Sequence, residues 1–319
     1  MPAPIKKSPS ALLVAIAFLT VYLVWGSTYL FIRIAVQHFP PMIMGAVRFI
    51  LAGLLMFIWC IIRGEKLFSI QTIIPAAVCG LFILFIGNGA VIWSEQYLSS
   101  SLVAVLVGAA PVWFVLLDKP NWKENFANKE VLFGMVIGFI GVGLLFGENA
   151  LKAIGRVDSK TQIIALCILI AGSISWCAGS LYSKYKSKGS SNAVNTTWQM
   201  LSAGLFFFVA SLIHNEWSNF NYTQVSTTGW LALLYLVIFG SLAGYSAYIW
   251  LFQVRPAVQV STYAYVNPVV AVILGVLVLS ENITIIQVVG LCIILSGVFL
   301  INLAKYRQQL KINNEAKSL

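Results

Sequence analysis

The chain has 319 residues, of which 60% are hydrophobic and only 9% charged, against about 45–50% and about 25% in an ordinary soluble domain. With a mean hydropathy of +0.89 it cannot hide its apolar surface in one water-soluble core, which excludes a soluble enzyme, a disordered tail and a nucleic-acid-binding domain. The formal net charge of +10 is expected to mark a basic cytoplasmic face near anionic lipid, since the basic residues are spread over short loops.

An apolar run of about 20 residues spans the hydrocarbon core as a helix. Ten such spans are predicted, over 11–36, 42–62, 70–94, 98–117, 129–147, 162–183, 193–213, 228–252, 257–279 and 284–304. The first follows Lys6 and Lys7 as a signal peptide would, but it is too long and lacks a small-residue cleavage site, so it is expected to be retained. The intervening loops are too short to hold a soluble domain. Ten spans place both termini on one side. Sorted on that basis, fifteen basic residues share the side of the termini, four lie opposite and Arg48 lies within a span, which predicts cytoplasmic termini. The five cysteines fall inside apolar runs without ligand spacing, and His38 and His214 are isolated. Neither disulfides nor a metal site nor any cofactor is expected.

The chain repeats itself. A shift of 151 sets Trp25 on Trp176, Ala52-Gly53-Leu54 on Ala203-Gly204-Leu205 and Phe57 on Phe208. A shift of 157 sets Trp93 on Trp250, Gln96 on Gln253, Pro111 on Pro268 and Glu124-Asn125 on Glu281-Asn282, and a shift of 156 sets Gly134 on Gly290 and Gly141 on Gly297. The matches keep their order and the offset changes only at loops. The organisation predicted is a cytoplasmic N-terminus (1–10), a first five-helix repeat (11–147), an outward loop (148–161), a second repeat (162–304) and a cytoplasmic tail (305–319). Five is odd, so the second copy enters the membrane upside down. The fold class expected is therefore an all-α polytopic membrane protein of ten transmembrane helices in two inverted repeats. In secondary transporters that arrangement places a substrate site near the midplane, between the halves.

Candidate residues for such a site are polar ones at mid-span. Trp25 and its mate Trp176 lie midway along their helices, away from the interfaces where Trp usually sits; cavity walls and plain packing are equally open readings. Tyr22 and Tyr29 share the face of Trp25, and Ser173 and Ser180 that of Trp176. Pro111 and Pro268 are expected to kink helices 4 and 9. The run Ser261-Thr262-Tyr263-Ala264-Tyr265-Val266-Asn267 is unusually polar for mid-membrane, with Tyr263 and Asn267 one turn apart. Asn88 and Glu95 share a face of helix 3; Glu95 is either an interfacial residue or a cavity carboxylate for a substrate amine or a proton. Arg48, about two turns into helix 2, reads as a structural hydrogen-bonding or snorkelling residue before a cavity one. Its mate is Gln199.

Trp25-Gly26-Ser27-Thr28-Tyr29, Arg48-Phe49 with Ala52-Gly53, Gly87-Asn88-Gly89, Gly172-Ser173-Ile174-Ser175-Trp176, and Tyr263-Ala264-Tyr265-Val266-Asn267-Pro268 with Glu281 resemble the EamA-type drug/metabolite transporters, over about residues 11 to 304. The resemblance implies ten helices in two inverted repeats, termini inside, and export of small metabolites such as amino acids across the inner membrane. Asp118-Lys119-Pro120 departs from the family's apolar helix 4. The expected function is secondary active export of a small amphipathic solute by alternating access, with a proton or another ion as the coupling partner and a monomer or homodimer as the unit. An importer or exchanger of another solute is the alternative within the class, and a channel or receptor the alternative outside it. An enzyme is not expected, because no catalytic pair or metal set stands at membrane depth.

Overall fold

Lipid offers the backbone no hydrogen bonds, so a spanning segment must satisfy its own N–H and C=O groups, and the apolar runs fold as helices. The computed structural model describes residues 10–98, 100–154, 160–187, 191–218, 220–279 and 284–317, among which there is no strand. The helices are α1 (Ala11–Val36), α2 (Pro41–Ile62), α3 (Ile70–Ser94), α4 (Ser100–Val107), α5 (Ala110–Leu117), α6 (Trp122–Ala127), α7 (Lys129–Ile154), α8 (Lys160–Lys186), α9 (Asn192–Ile213), α10 (Thr227–Val254), α11 (Ala257–Val260), α12 (Tyr263–Leu279) and α13 (Ile285–Lys317). Among the described residues eight helices are long and apolar enough to cross a membrane. A ninth is added if the pair Lys119–Ala127 and Lys129–Leu145, bent by 90°, is one span.

The segment expected as a single helix over 98–117 is broken into α4 and α5. Gly108 and Ala109 form a turn between them, with the Ala109 N–H bonded three residues back to Leu106 at 3.2 Å. Pro111 does not kink a continuous helix. It stands in the first turn of α5, where its missing N–H is not needed. At the other end α5 stops at Asp118, whose ψ of 60° leaves the helical region, and Lys119–Asn121 forms a single 3-10 turn. That aspartate is buried and accepts hydrogen bonds from the Tyr185 hydroxyl and, at 3.0 Å, from Asn121 Nδ2. The expected span 257–279 is likewise interrupted. Ser261 and Thr262 donate to the carbonyls of Val258 (2.9 Å) and Gln259 (2.7 Å) at the turn between α11 and α12. Pro268 sits inside α12, beyond that turn.

Several helices outrun their apolar cores. Helix α7 reaches Ile154, α8 begins at Lys160 and α13 continues to Lys317. Helix α7 thus enters the expected loop 148–161 and α13 the expected tail, because Lys, Gln, Glu and Ala sustain a helix beyond the hydrocarbon. The Glu281-Asn282 match lies outside the described residues.

The repeat recurs in backbone detail. Helices α2 and α9 end on the left-handed residues Gly64 (φ 67°) and Asn215 (φ 51°), which are 151 apart. Each donates its N–H at 3.0 Å to the equivalent carbonyl, of Ile61 and of Leu212. Helices α3 and α10 both change to π-helical bonding over Gly80–Asn88 and Leu236–Tyr245, which the 157 shift superposes within one residue. Contacts between the copies also come in exchanged pairs. Gly53 packs on Leu201 and Gly204 on Ile50; Gly134 packs on Gly297 and Gly141 on Gly290. In each pair the second contact is the first with the copies swapped.

These approaches leave no room for a side chain. A Cβ on Gly297 would lie 2.6 Å from the Gly138 backbone nitrogen, whereas one on Gly143 would meet nothing within 4 Å. Gly297→Ala should therefore destabilise the protein by about 1–3 kcal/mol, as overpacking does. Gly143→Ala should be neutral or stabilising by up to about 1 kcal/mol. Thermal melts of the two variants in one detergent check the pair.

Candidate functional site

The breaks and π-helical turns converge on one cavity. Its walls come from both repeats: Trp25, Tyr29 and Ile32 on α1, Asn88 and Val91 on α3, Ser173 and Trp176 on α8, and Tyr263 and Asn267 on α12. Arg48 of α2 and Ser241 and Tyr245 of α10 also line it. Among the described residues the lining contains no Asp or Glu.

One end is closed by four aromatic rings. Trp25 meets Trp176 edge to face at 5.4 Å between centroids, Tyr248 at 4.8 Å and Tyr263 at 5.1 Å. The polar tips are tied back into protein. Trp25 Nε1 donates to the Gly240 carbonyl at 3.1 Å, and Trp176 Nε1 donates to the Tyr248 hydroxyl at 2.7 Å. Ser180 Oγ also lies 2.7 Å from that hydroxyl. Glycine makes the closeness possible: a Cβ on Gly244 would stand 2.6 Å from Trp25 Nε1, and one on Gly87 3.0 Å from Trp176 Cβ. Gly87 and Gly244 are repeat mates, so each tryptophan leans on the π-helical segment of the other copy. Behind the rings, Phe114 and Phe252 pack at 5.3 Å, and Lys184 Nζ donates to the carbonyls of Phe252 (2.9 Å) and Arg255 (2.5 Å). From the rings the cavity runs the other way, towards Ile32, Val91 and Leu169.

Six of the seven predicted site residues, Trp25, Tyr29, Asn88, Trp176, Tyr263 and Asn267, meet at this cavity, and Arg48 joins them. Glu95 does not line it. It stands one turn beyond Val91 at the end of α3, both carboxylate oxygens buried without a hydrogen-bond partner. The polar run before Pro268 divides: Tyr263 and Asn267 face the cavity, while Tyr22 meets Thr262 at 2.6 Å and Tyr265 donates to the Met135 carbonyl at 2.9 Å. Pro111 and Pro268 do not line the cavity themselves. Sequence reasoning missed Ser241, Tyr245 and Tyr248. The 157 shift carried a signal for Tyr245 alone, since it sets Gly87-Asn88 on Gly244-Tyr245. Gln199, the mate of Arg48, is fully buried and accepts from the Tyr245 hydroxyl at 2.7 Å.

Three polar atoms on cavity-lining residues are buried with no hydrogen-bond partner: Arg48 Nη1, Asn88 Oδ1 and Asn267 Oδ1. Buried polar atoms are ordinarily paired, so orphans gathered in one cavity suit a polar solute.

Comparison with known proteins agrees with a transport role. The EamA-like transporter family matches residues 12–147 and 163–303. The chain is 36% identical over 293 residues to "Uncharacterized inner membrane transporter YedA" of Escherichia coli (strain K12), covering 91% of this chain and 90% of that protein. It is 24% identical over 293 residues to "Uncharacterized transporter YoaV" of Bacillus subtilis (strain 168), covering 90% and 96%. A solved crystal structure, 15% identical, superposes with a TM-score of 0.73 over 93% of this chain and 100% of that one, which shows a shared fold.

The hydroxyl of Tyr248 bonds both Trp176 and Ser180. Tyr248→Phe should cost about 1–3 kcal/mol, the penalty of leaving a buried donor unpaired. Thermal unfolding followed by tryptophan fluorescence checks this.

Proposed function

Because the chain belongs to the EamA-like transporter family, we propose that it is a secondary active transporter that exports small amphipathic metabolites, such as amino acids, by alternating access. The observation that carries this reading is the cavity between the two repeats, closed at one end by aromatic rings and holding unpaired polar atoms. Ten crossings in two inverted five-helix repeats, 11–147 and 162–304, account for the contacts that recur with the copies exchanged. With fifteen basic residues on the side of the termini, both termini are cytoplasmic. The membrane is the inner membrane, as in the name of the relative YedA.

On this topology the cavity opens to the outside and the plug of Trp25, Trp176, Tyr248, Tyr263, Phe114 and Phe252 closes the cytoplasmic side. Rocking of one repeat against the other would part the plug and close the outer mouth, exposing the same residues inward. The driving force is a proton or another ion gradient, and Glu95 is the residue we assign to it. A carboxyl group buried without a hydrogen bond, one turn beyond the cavity-lining Val91, is suited to hold a proton.

Counterflow in proteoliposomes tests the site. Trp176→Ala and Asn267→Ala should each lower the rate at least about tenfold, a loss of roughly 1.4 kcal/mol in transport efficiency. Wild-type rates in both would refute the site assignment. Glu95→Gln should abolish flux driven by a pH gradient while leaving counterflow intact. Unchanged gradient-driven flux would make Glu95 structural.

A further inference from the structure

Arg48 is 4% exposed, on a wall of the cavity. Its Nε donates to Ser241 Oγ at 3.0 Å, which fixes the guanidinium plane against the π-helical turn of α10. Gly240 permits this approach, since a Cβ there would lie 3.0 Å from Nη2. Nη1 is buried and bonds nothing. No carboxylate lines the cavity, and no ion pair to Arg48 exists among the described residues. A guanidinium keeps its charge, so the cavity carries one unit of positive charge away from water. The Phe49 ring, 4.8 Å from Arg48 Cζ, offsets only part of that charge, and a buried charge without a counter-ion is costly until an anion meets it.

We propose that Arg48 is the anion-reading residue of the cavity and that the transported solute presents it with a single carboxylate. Nη1 and Nη2 form the fork that matches a carboxylate bidentately. One cation balances one carboxylate, whereas a phosphate dianion would call for more. The orphan Oδ1 atoms of Asn88 and Asn267 accept from donor groups on the same solute, such as an ammonium. Trp25, Trp176 and Tyr263 flank its apolar body. The assignment rests on the transporter reading and narrows it to solutes with an ionised carboxylate beside an apolar group.

Matched acid and amide pairs test it on the full chain: L-phenylalanine with L-phenylalaninamide, L-leucine with L-leucinamide, and 3-phenylpropionate with 3-phenylpropionamide. Binding is read by thermal stabilisation in detergent, and transport by counterflow in proteoliposomes. At least one free acid should bind about tenfold or more tightly than its amide, and Arg48→Gln should erase that preference while Arg48→Lys keeps part of it. Loss of the ammonium in 3-phenylpropionate should weaken binding, and Asn267→Ala should remove that difference. Equal binding of acid and amide to the wild-type protein overturns the proposal, and so does an acid preference that survives Arg48→Gln. Absence of acid binding at millimolar concentration overturns it too. The wild-type comparison holds even where Arg48→Gln fails to fold. Counterflow of acid and amide alike would sink the role of Arg48 and leave the transporter standing. An Arg48-dependent acid preference without counterflow would do the reverse.

Discussion

A polar group inside a bilayer must find its partner in the protein or in water enclosed by it, and this constraint orders the whole molecule. It forces the apolar runs into helices and turns their exposed faces into a belt of Leu, Ile and Phe. It also explains why the mid-span polar side chains gather in one place. The indole N–H groups of Trp25 and Trp176 are bonded to Gly240 and Tyr248, and Ser261 and Thr262 bond the carbonyls of the preceding turn. Of the buried polar atoms left without a partner, those of Arg48, Asn88 and Asn267 belong to cavity-lining residues, while those of Glu95, Asn195, Thr196, Ser246 and Gln259 lie elsewhere.

Close packing supplies the second half of the architecture. Lipid tails are as apolar as leucine, so helices associate through shape, and small residues let backbones approach. Gly134 with Gly297 and Gly141 with Gly290 join α7 to α13, while Gly53 with Leu201 and Gly204 with Ile50 join α2 to α9. The cytoplasmic end in our topology is fastened by polar bonds instead: buried Lys305 reaches Glu124 at 3.1 Å and Asn125 at 3.3 Å, and Asp118 holds Tyr185 and Asn121. The joints along the helix pairs are rigid. The cavity floor is a cluster of rings in edge-to-face and tilted contact, held by few hydrogen bonds, which suits a surface that must part.

Much of this was legible in the sequence, and the failures have physical causes. Hydropathy located the long helices because burial in lipid depends on composition. The 151 and 157 shifts located the repeat, and they reached further than expected, to the turn residues Gly64 and Asn215 and to the π-helical segments. The pairing of Trp25 with Trp176 followed from their equivalent depth. Hydropathy could not foresee that α4 and α5 are separate, because a glycine turn inside an apolar run leaves the average unchanged. Nor could it show π-helical bonding, which changes the backbone pattern without changing composition. Tyr248 was overlooked because a tyrosine in an aromatic-rich helix looks like any other packing residue. Glu95 shares the face of Asn88, yet α3 carries it past the mouth of the cavity.

Alternating access requires that the two ends of the cavity never open together, and thiol labelling tests that most directly. Leu169→Cys lies on the cavity wall and Phe252→Cys in the inner layer of the aromatic plug, each introduced with the five native cysteines replaced. In sealed vesicles an impermeant reagent should reach position 169 from outside only and position 252 from the cytoplasmic side only. Labelling at 252 should block counterflow. A reagent added on one side that labels both positions at once would describe a continuous pore and contradict the account.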